Sequence, residues 1–257
     1  MSYKANITGG ESLVYLYDGS LPGFYCCVYE SINTKTMPAG ISDGEEAQTI
    51  MFEDFFIHTD ERKAYRVKRS IADRISERSL DLIETVFLSC LPNKEMHMLR
   101  YLLLGYKVGR KIDDMLGHKE VAPLLAAEGH LFRESHLLTG FIRFSEYDGI
   151  LAATITPKNF VLPFIARHFV RRFNTERFII YDKTHRHALI YQDGRAQVLR
   201  MDSINLPAPT ETEKGYRELW KGFYKAITIE ARENPKCRMT HMPKRYWENM
   251  TEMAEFL

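Results

Sequence analysis

The stretch from Gly140 to Ile155, GFIRFSEYDGILAATI, decides how this chain is read. Before it, apolar residues recur every three or four positions; inside it the period drops to two. Phe141-Ile142-Arg143-Phe144 and Ile150–Ile155 flank Tyr147-Asp148-Gly149, a hairpin signal, because Asp-Gly tolerates the positive φ angles of a tight turn. Downstream, Pro163 opens a helix to about Phe173, and strands are predicted near 177–182, 187–191 and 195–201, the last two joined at Asp193-Gly194. Connections this short imply a mostly antiparallel sheet with the order β-β-α-β-β-β. Pro207 and Pro209 form a linker, and Thr210-x-x-Glu213 fits a capping box for a helix to about Ala231. Tyr216, Trp220, Phe223 and Ile227 are its apolar stripe. Pro235 and Pro243 predict an irregular segment over 233–243, and Trp247 is expected to be a buried anchor.

Upstream, Leu13–Tyr17 alternates as a strand, Asp18-Gly19-Ser20 is a turn, and a short helix spans roughly Leu21 to Ile32. Residues 36–50, with Pro38, Gly40 and Gly44, read as a loop. From Arg62 to His136 the period is helical. Ala64, Val67, Ile71 and Ile75 form one row, and Leu80, Ile83, Phe87 and Leu91 form the next. Further helices are predicted from Lys94 to Ile112 and from Lys119 to about His136. The expected fold is α+β. Residues 1–139 hold an N-terminal strand and a helical subdomain; residues 140–257 hold an antiparallel sheet unit with a C-terminal helix and a basic, Pro-containing tail.

The 257 residues are 45% hydrophobic and 27% charged, which suits a globular chain with a sizeable core and excludes disordered, collagen-like or coiled-coil classes. No apolar run approaches the roughly 20 residues of a membrane span, and the start, MSYKANITGG, has no apolar signal core, so a cytoplasmic protein without membrane partners is expected. With 35 Lys and Arg against 34 Asp and Glu, a uniformly basic nucleic-acid protein is excluded. The charges are nevertheless segregated. Residues 42–61 carry seven acids and no Lys or Arg; Arg62 to Arg69 carry five bases and no acid; and 232–245 carry Arg232, Lys236, Arg238, Lys244 and Arg245 against Glu233. Such runs are either anion-binding faces or solvated helix faces. Four scattered cysteines, with no C-x-x-C, read as reduced thiols rather than a disulfide, zinc or iron–sulfur framework.

Catalytic and cofactor motifs are absent. Gly105-Tyr-Lys-Val-Gly109-Arg-Lys111 lacks phosphate-loop spacing, no G-x-G-x-x-G or G-x-S-x-G occurs, and Asp113-Asp114 diverge on a helix. His130, Glu134 and His136, and the pair Cys237 and His241, fall short of a metal set. Neither a cofactor nor a metal is therefore expected. Two basic sets remain: His168, Arg171 and Arg172 on the helix inside the sheet unit, and Lys236, Arg238, His241, Lys244 and Arg245 in the tail, where Tyr246 and Trp247 are either base-stacking groups or core anchors. Arg143, Arg195 and Gln197 alternate on strands as a polar sheet face, which is equally the solvent side of an antiparallel sheet.

Four groups of residues carry a resemblance. They are Tyr17-Asp18-Gly19-Ser20 with Gly23-Phe24; Glu134-x-His136 leading into Gly140-Phe141-x-Arg143-Phe144; His168-Phe169-x-x-Arg172-Phe173 with Ile180-Tyr181-Asp182; and Asn234-Pro-Lys-x-Arg-x-x-His241-Met-Pro-x-Arg-Tyr-Trp247. Together they resemble a bacterial family of DNA-metabolism or DNA-repair proteins of otherwise unknown function. Its members are typically encoded beside a radical-SAM protein linked to DNA modification or repair, and a similar domain is in some proteins fused to a uracil-DNA glycosylase-like domain. The resemblance implies a DNA-binding accessory protein working with a radical-SAM partner. The chain lacks the Cys-x-x-x-Cys-x-x-Cys and the glycosylase motifs of those partners. Arg143, His168, Arg171, Arg172, Lys236, Arg238, His241, Lys244 and Arg245 are the expected nucleic-acid contacts. Two alternatives stay open. One is a protein–protein adaptor using the acidic and basic runs of 42–69. The other is an enzyme in which Glu134, His136, His168 and Asp182 converge beside Arg143 as a His/carboxylate site.

Overall fold

A computed structural model describes residues 13–44, 53–229, 234–253 and 256. The chain divides into two compact units, residues 1–129 and 130–257. Helices and sheets are mixed, so the fold is α+β.

In the first unit, β1 (Leu13–Leu16) pairs in parallel with β2 (Gly40–Ser42) on one side and β3 (Glu53–Phe56) on the other, with Tyr15 opposite both Ile41 and Phe55. Within the loop expected over 36–50, Gly40–Ser42 is a strand, and residues 45–50 lie outside the described residues. Between β1 and β2 runs α1 (Leu21–Thr34), started by Ser20, whose hydroxyl accepts the Gly23 amide at 3.0 Å. Asp18 holds the turn by accepting the Ser20 amide and hydroxyl and the Thr59 hydroxyl. The chain closes so tightly here that a Cβ on Gly23 would lie 2.3 Å from the Asp18 carboxylate and 2.9 Å from the Tyr17 ring. Alanine normally favours a helix over glycine by about 1 kcal/mol. Here Gly23→Ala should instead destabilise by about 1–3 kcal/mol, read as a lower urea midpoint.

The helical row follows as α2 (Glu61–Arg74), α3 (Glu77–Phe87) and α4 (Lys94–Val108). Asp60 caps α2 through the Arg62 and Lys63 amides, and Ser76 caps α3 through the Ser79 amide. The expected faces are inside: Ala64, Val67, Ile71, Ile75, Leu80 and Ile83 are buried in one core with Phe24, Leu99 and Leu102. α4 ends earlier than Ile112, because Gly109 turns to φ +64° and the chain tightens into a 3-10 turn over Gly109–Asp114.

α5 (Ala122–Phe141) carries the chain into the second unit. Of Phe141–Phe144, expected as a strand, Phe141 ends this helix and residues 142–144 are in neither helix nor strand. Leu131, Ser135, Leu138 and Ile142 continue one buried row at helical spacing, and four alternating residues do not outweigh it. The first strand of the hairpin is β4 (Ser145–Tyr147), and β5 (Ile150–Ile155) returns after Asp148 and Gly149, both at positive φ. Then come α6 (Leu162–Arg172), β6 (Arg177–Asp182), β7 (His187–Gln192) and β8 (Arg195–Arg200). The strand order is β4-β5-β6-β7-β8. Of its four pairings, β5–β6 is parallel and the others antiparallel. The exception follows from α6, a crossover long enough to return the chain in the same direction.

α6 buries Leu162, Ile165 and Phe169 in the second core, which also holds Tyr246, Trp247 and Met250, so the expected Trp247 anchor is present. Two expectations for the C-terminal elements change. α7 (Glu211–Ile227), capped by Thr210, turns Glu213, Arg217 and Tyr224 inward and leaves Tyr216, Phe223 and Ile227 exposed. Residues 235–241 are helical, not irregular. Asn234 accepts the Cys237 amide at 2.9 Å, and Pro235 sits at the first turn of α8 (Pro235–His241), where it has no intrahelical amide to lose. Glu45, Glu46, Arg232, Glu233, the MSYKANITGG start and the expected end of the long helix at Ala231 lie outside the described residues.

Candidate functional site

The outer face of α6 presents Arg167, His168, Arg171 and Arg172, at the one-face spacing i, i+1, i+4, i+5, with Phe164 among them. All four cationic-type side chains are exposed, and they line an open groove of about 500 Å³. Among the described residues no carboxylate forms an ion pair with Arg167, Arg171 or Arg172. Arg171 and Arg172 also suit the negative end of the helix dipole, so their placement has a local reason besides function.

Arg172 opens into a second cleft of about 540 Å³, walled by Arg143, Phe173, Tyr216, Arg217 and Trp220. The polar groups of this cleft are fixed. Arg143 donates Nε and Nη2 to the buried Glu252 carboxylate at 3.2 and 2.5 Å, and Nη1 to the Gly140 carbonyl at 2.7 Å. Trp220 donates its indole N–H to the same Glu252 at 2.9 Å, and its ring lies 5.4 Å from the Arg143 guanidinium. Arg217 donates to Glu213 at 2.9 Å and to the Ser145 hydroxyl at 2.6 Å. Burial pushes the Glu252 and Glu213 carboxyls up, but hydrogen bonds outweigh it and hold both below the usual range. For Glu252 these come from Arg143, its own backbone amide and Trp220; for Glu213, from Ser145, Arg217 and the Glu146 amide.

Most of the tail bases are otherwise engaged. Arg245 donates to the buried Glu134 at 2.9 Å and lies over the Tyr246 ring. Lys244 lies over Trp247 and Arg238 over Phe256. His241 Nδ1 faces the Cys237 carbonyl at 3.0 Å, and Lys236 is exposed on α8. None of these five lines the α6 groove. Arg195 and Gln197 are exposed on the edge strand β8, whereas Arg143 is not in a strand, so the three do not form one sheet face.

Glu134 is a structural clamp. It accepts the backbone amides of Lys158 and Asn159 at 3.0 and 2.8 Å, the Asn159 side chain at 2.6 Å, the Tyr246 hydroxyl at 2.8 Å and Arg245. Burial raises its pKa, yet these donors together bring it below the usual carboxyl range, and burial pushes the Tyr246 pKa up to about 12. Asp182, fully buried, accepts the Thr184 and His185 amides and faces His185 Nδ1 at 2.6 Å. Among the described residues Glu134 and Asp182 share no hydrogen-bond partner, and His136 and His168 are exposed with no hydrogen bond to either carboxylate. Among the described residues, no three His, Cys, Asp or Glu side chains are grouped to hold a metal ion, and no helix is long and apolar enough to cross a membrane. In the first unit, several bases of 62–69 are satisfied locally: Lys63 and Arg66 lie over Tyr29, Lys68 pairs with Glu84 and Arg69 with Asp73.

Sequence reasoning missed Arg167, Arg217, Glu252 and the cleft role of Tyr216 and Trp220. The spacing Arg167–Arg171 could have revealed the first; the others depend on distant partners, 109 residues apart for Arg143 and Glu252.

Residues 92–252, more than half of the chain, match a family described as Domain of unknown function (DUF4130). No curated protein matches the chain.

Proposed function

The chain belongs to the DUF4130 family, and from that premise we propose that it is a DNA-binding accessory protein of DNA repair or modification, with the outer face of α6 as its contact surface. The observation that supports this reading is the exposed set Arg167, His168, Arg171 and Arg172, whose arginines have no carboxylate partner among the described residues. Charge distribution agrees with it. Residues 130–257 carry 20 Lys and Arg against 15 Asp and Glu, whereas residues 1–129 carry 15 against 19. A nearly neutral chain thus concentrates its positive charge in the unit that holds α6, as phosphate binding needs. The resemblance in the four sequence motifs supplies the nucleic-acid context and the radical-SAM partner.

The test is binding to duplex DNA over a salt series. Three or four phosphate contacts give a log–log slope of about −3. A slope near zero, or no binding at low salt, rejects the reading.

A second reading, the adaptor, is favoured by the strip Leu219, Phe223 and Ile227 on α7, which are 70%, 54% and 58% exposed. Apolar strips of this kind are where partner proteins dock. Loss of co-purification with the radical-SAM protein on Leu219→Glu, with DNA affinity unchanged, would assign the strip to that partner.

A further inference from the structure

We infer that the cleft between Arg143, Arg172 and Trp220 receives an unpaired base, so that the chain's preferred nucleic acid is single-stranded or locally opened. The inference rests on the DNA-binding reading above and goes beyond it. Charge in this region is divided in a useful way. Arg143 is neutralised by Glu252, and Arg217 by Glu213. Among the described residues Arg172 has no carboxylate partner, and it stands where the cleft meets the α6 groove, lining both. The cleft interior is therefore close to neutral and aromatic, and its rim and the groove beyond are cationic. A phosphate backbone running along Arg167, Arg171 and Arg172 would present its base to Trp220 and Tyr216.

The aromatic groups are exposed to a degree that folding does not require. Tyr216 is 65% and Trp220 39% exposed, although Trp220 is held in one orientation by its bond to Glu252 and by Arg143. A preoriented, half-open indole is a stacking platform that loses little side-chain entropy on binding. The volume, about 540 Å³, lies within the range of small-molecule sites. Duplex DNA cannot use these rings. Its base faces are covered by their neighbours and only base edges reach the grooves. An unpaired base offers both faces and needs no particular sequence.

Fluorescence anisotropy with labelled oligothymidylate and a duplex of the same length tests the inference. The protein should prefer the single strand. Tyr216→Ser and Trp220→Ala should each lower single-strand affinity by about 5- to 100-fold, the range of one base–aromatic stack, and move duplex affinity by less than about twofold. Arg171→Ala should weaken both probes. Trp220→Phe guards against misfolding: it keeps a ring, so it should retain most single-strand affinity, and it removes the half-exposed indole, so quenching by oligothymidylate should vanish while buried Trp247 still emits. Equal loss on both probes, or no loss on either, overturns the inference and leaves DNA binding standing. No binding of either probe by the unaltered chain overturns the DNA-binding reading and this inference with it.

Discussion

Glu134→Gln should destabilise residues 130–257 by about 3–5 kcal/mol and lower Tm by on the order of 10 °C. The carboxylate accepts from two backbone amides, Asn159 Nδ2, Tyr246 and Arg245. A glutamine amide turned into that shell sets N–H against N–H and leaves Arg245 without its counter-charge. The two tryptophans, Trp220 and Trp247, both lie in this unit, so their emission during urea unfolding reports it directly. The pH dependence has a definite sign. The folded pKa of Glu134 lies below the ordinary glutamate value, so its contribution is complete above that value, about 4.3, and is lost as pH falls through the folded value. Glu252 and Glu213 shift the same way. The native chain should therefore lose stability as pH falls below about 4.3, and its advantage over Glu134→Gln should shrink there. A constant difference between the two across pH 7 to pH 3 would show that the carboxylate charge is not what the clamp uses.

Reversing charge on α6, with Arg167, Arg171 and Arg172 all changed to Glu, should cut DNA affinity on the order of 100-fold or more and flatten the salt slope. These side chains are exposed, so the core is untouched. Acids at a helix C-terminus oppose its dipole, which costs about 1 kcal/mol of stability. The Gln triple variant avoids that cost and should still remove most of the slope. Arg245→Ala makes the contrast: it should destabilise the fold through Glu134 and leave the slope unchanged. Unaltered affinity in the α6 variants would exclude this face as the contact surface.

Much of the fold is legible because it is written in short-range chemistry. Asp148-Gly149 and Asp193-Gly194 do adopt positive φ at both positions of each turn. Ser20, Asp60, Ser76 and Thr210 cap helices where short polar residues precede apolar periods. The apolar rows of α2, α3 and α6 name their buried faces, and the indole of Trp247 is an anchor. Cationic α6 could be read the same way, since its bases share one helix face whatever it packs against.

What the sequence could not decide depends on partners far along the chain. The β2-β1-β3 sheet joins segments whose short strands carry little signal of their own. The apolar stripe of α7 predicts burial of Tyr216 and Phe223. The adjoining row wins because Glu213 reaches the Glu146 amide and Arg217 reaches Ser145, while Trp220 of the stripe is held at its indole N–H by Glu252. The basic tail looks uniform in the sequence, yet Arg245 is taken by Glu134 across 111 residues, while Arg172 has no counter-charge among the described residues. Local patterns determine turns, caps and helix faces because those depend on neighbours within a few residues. Which arginine is neutralised, and which aromatic stays open, is decided only when tertiary packing brings a buried carboxylate within hydrogen-bond reach.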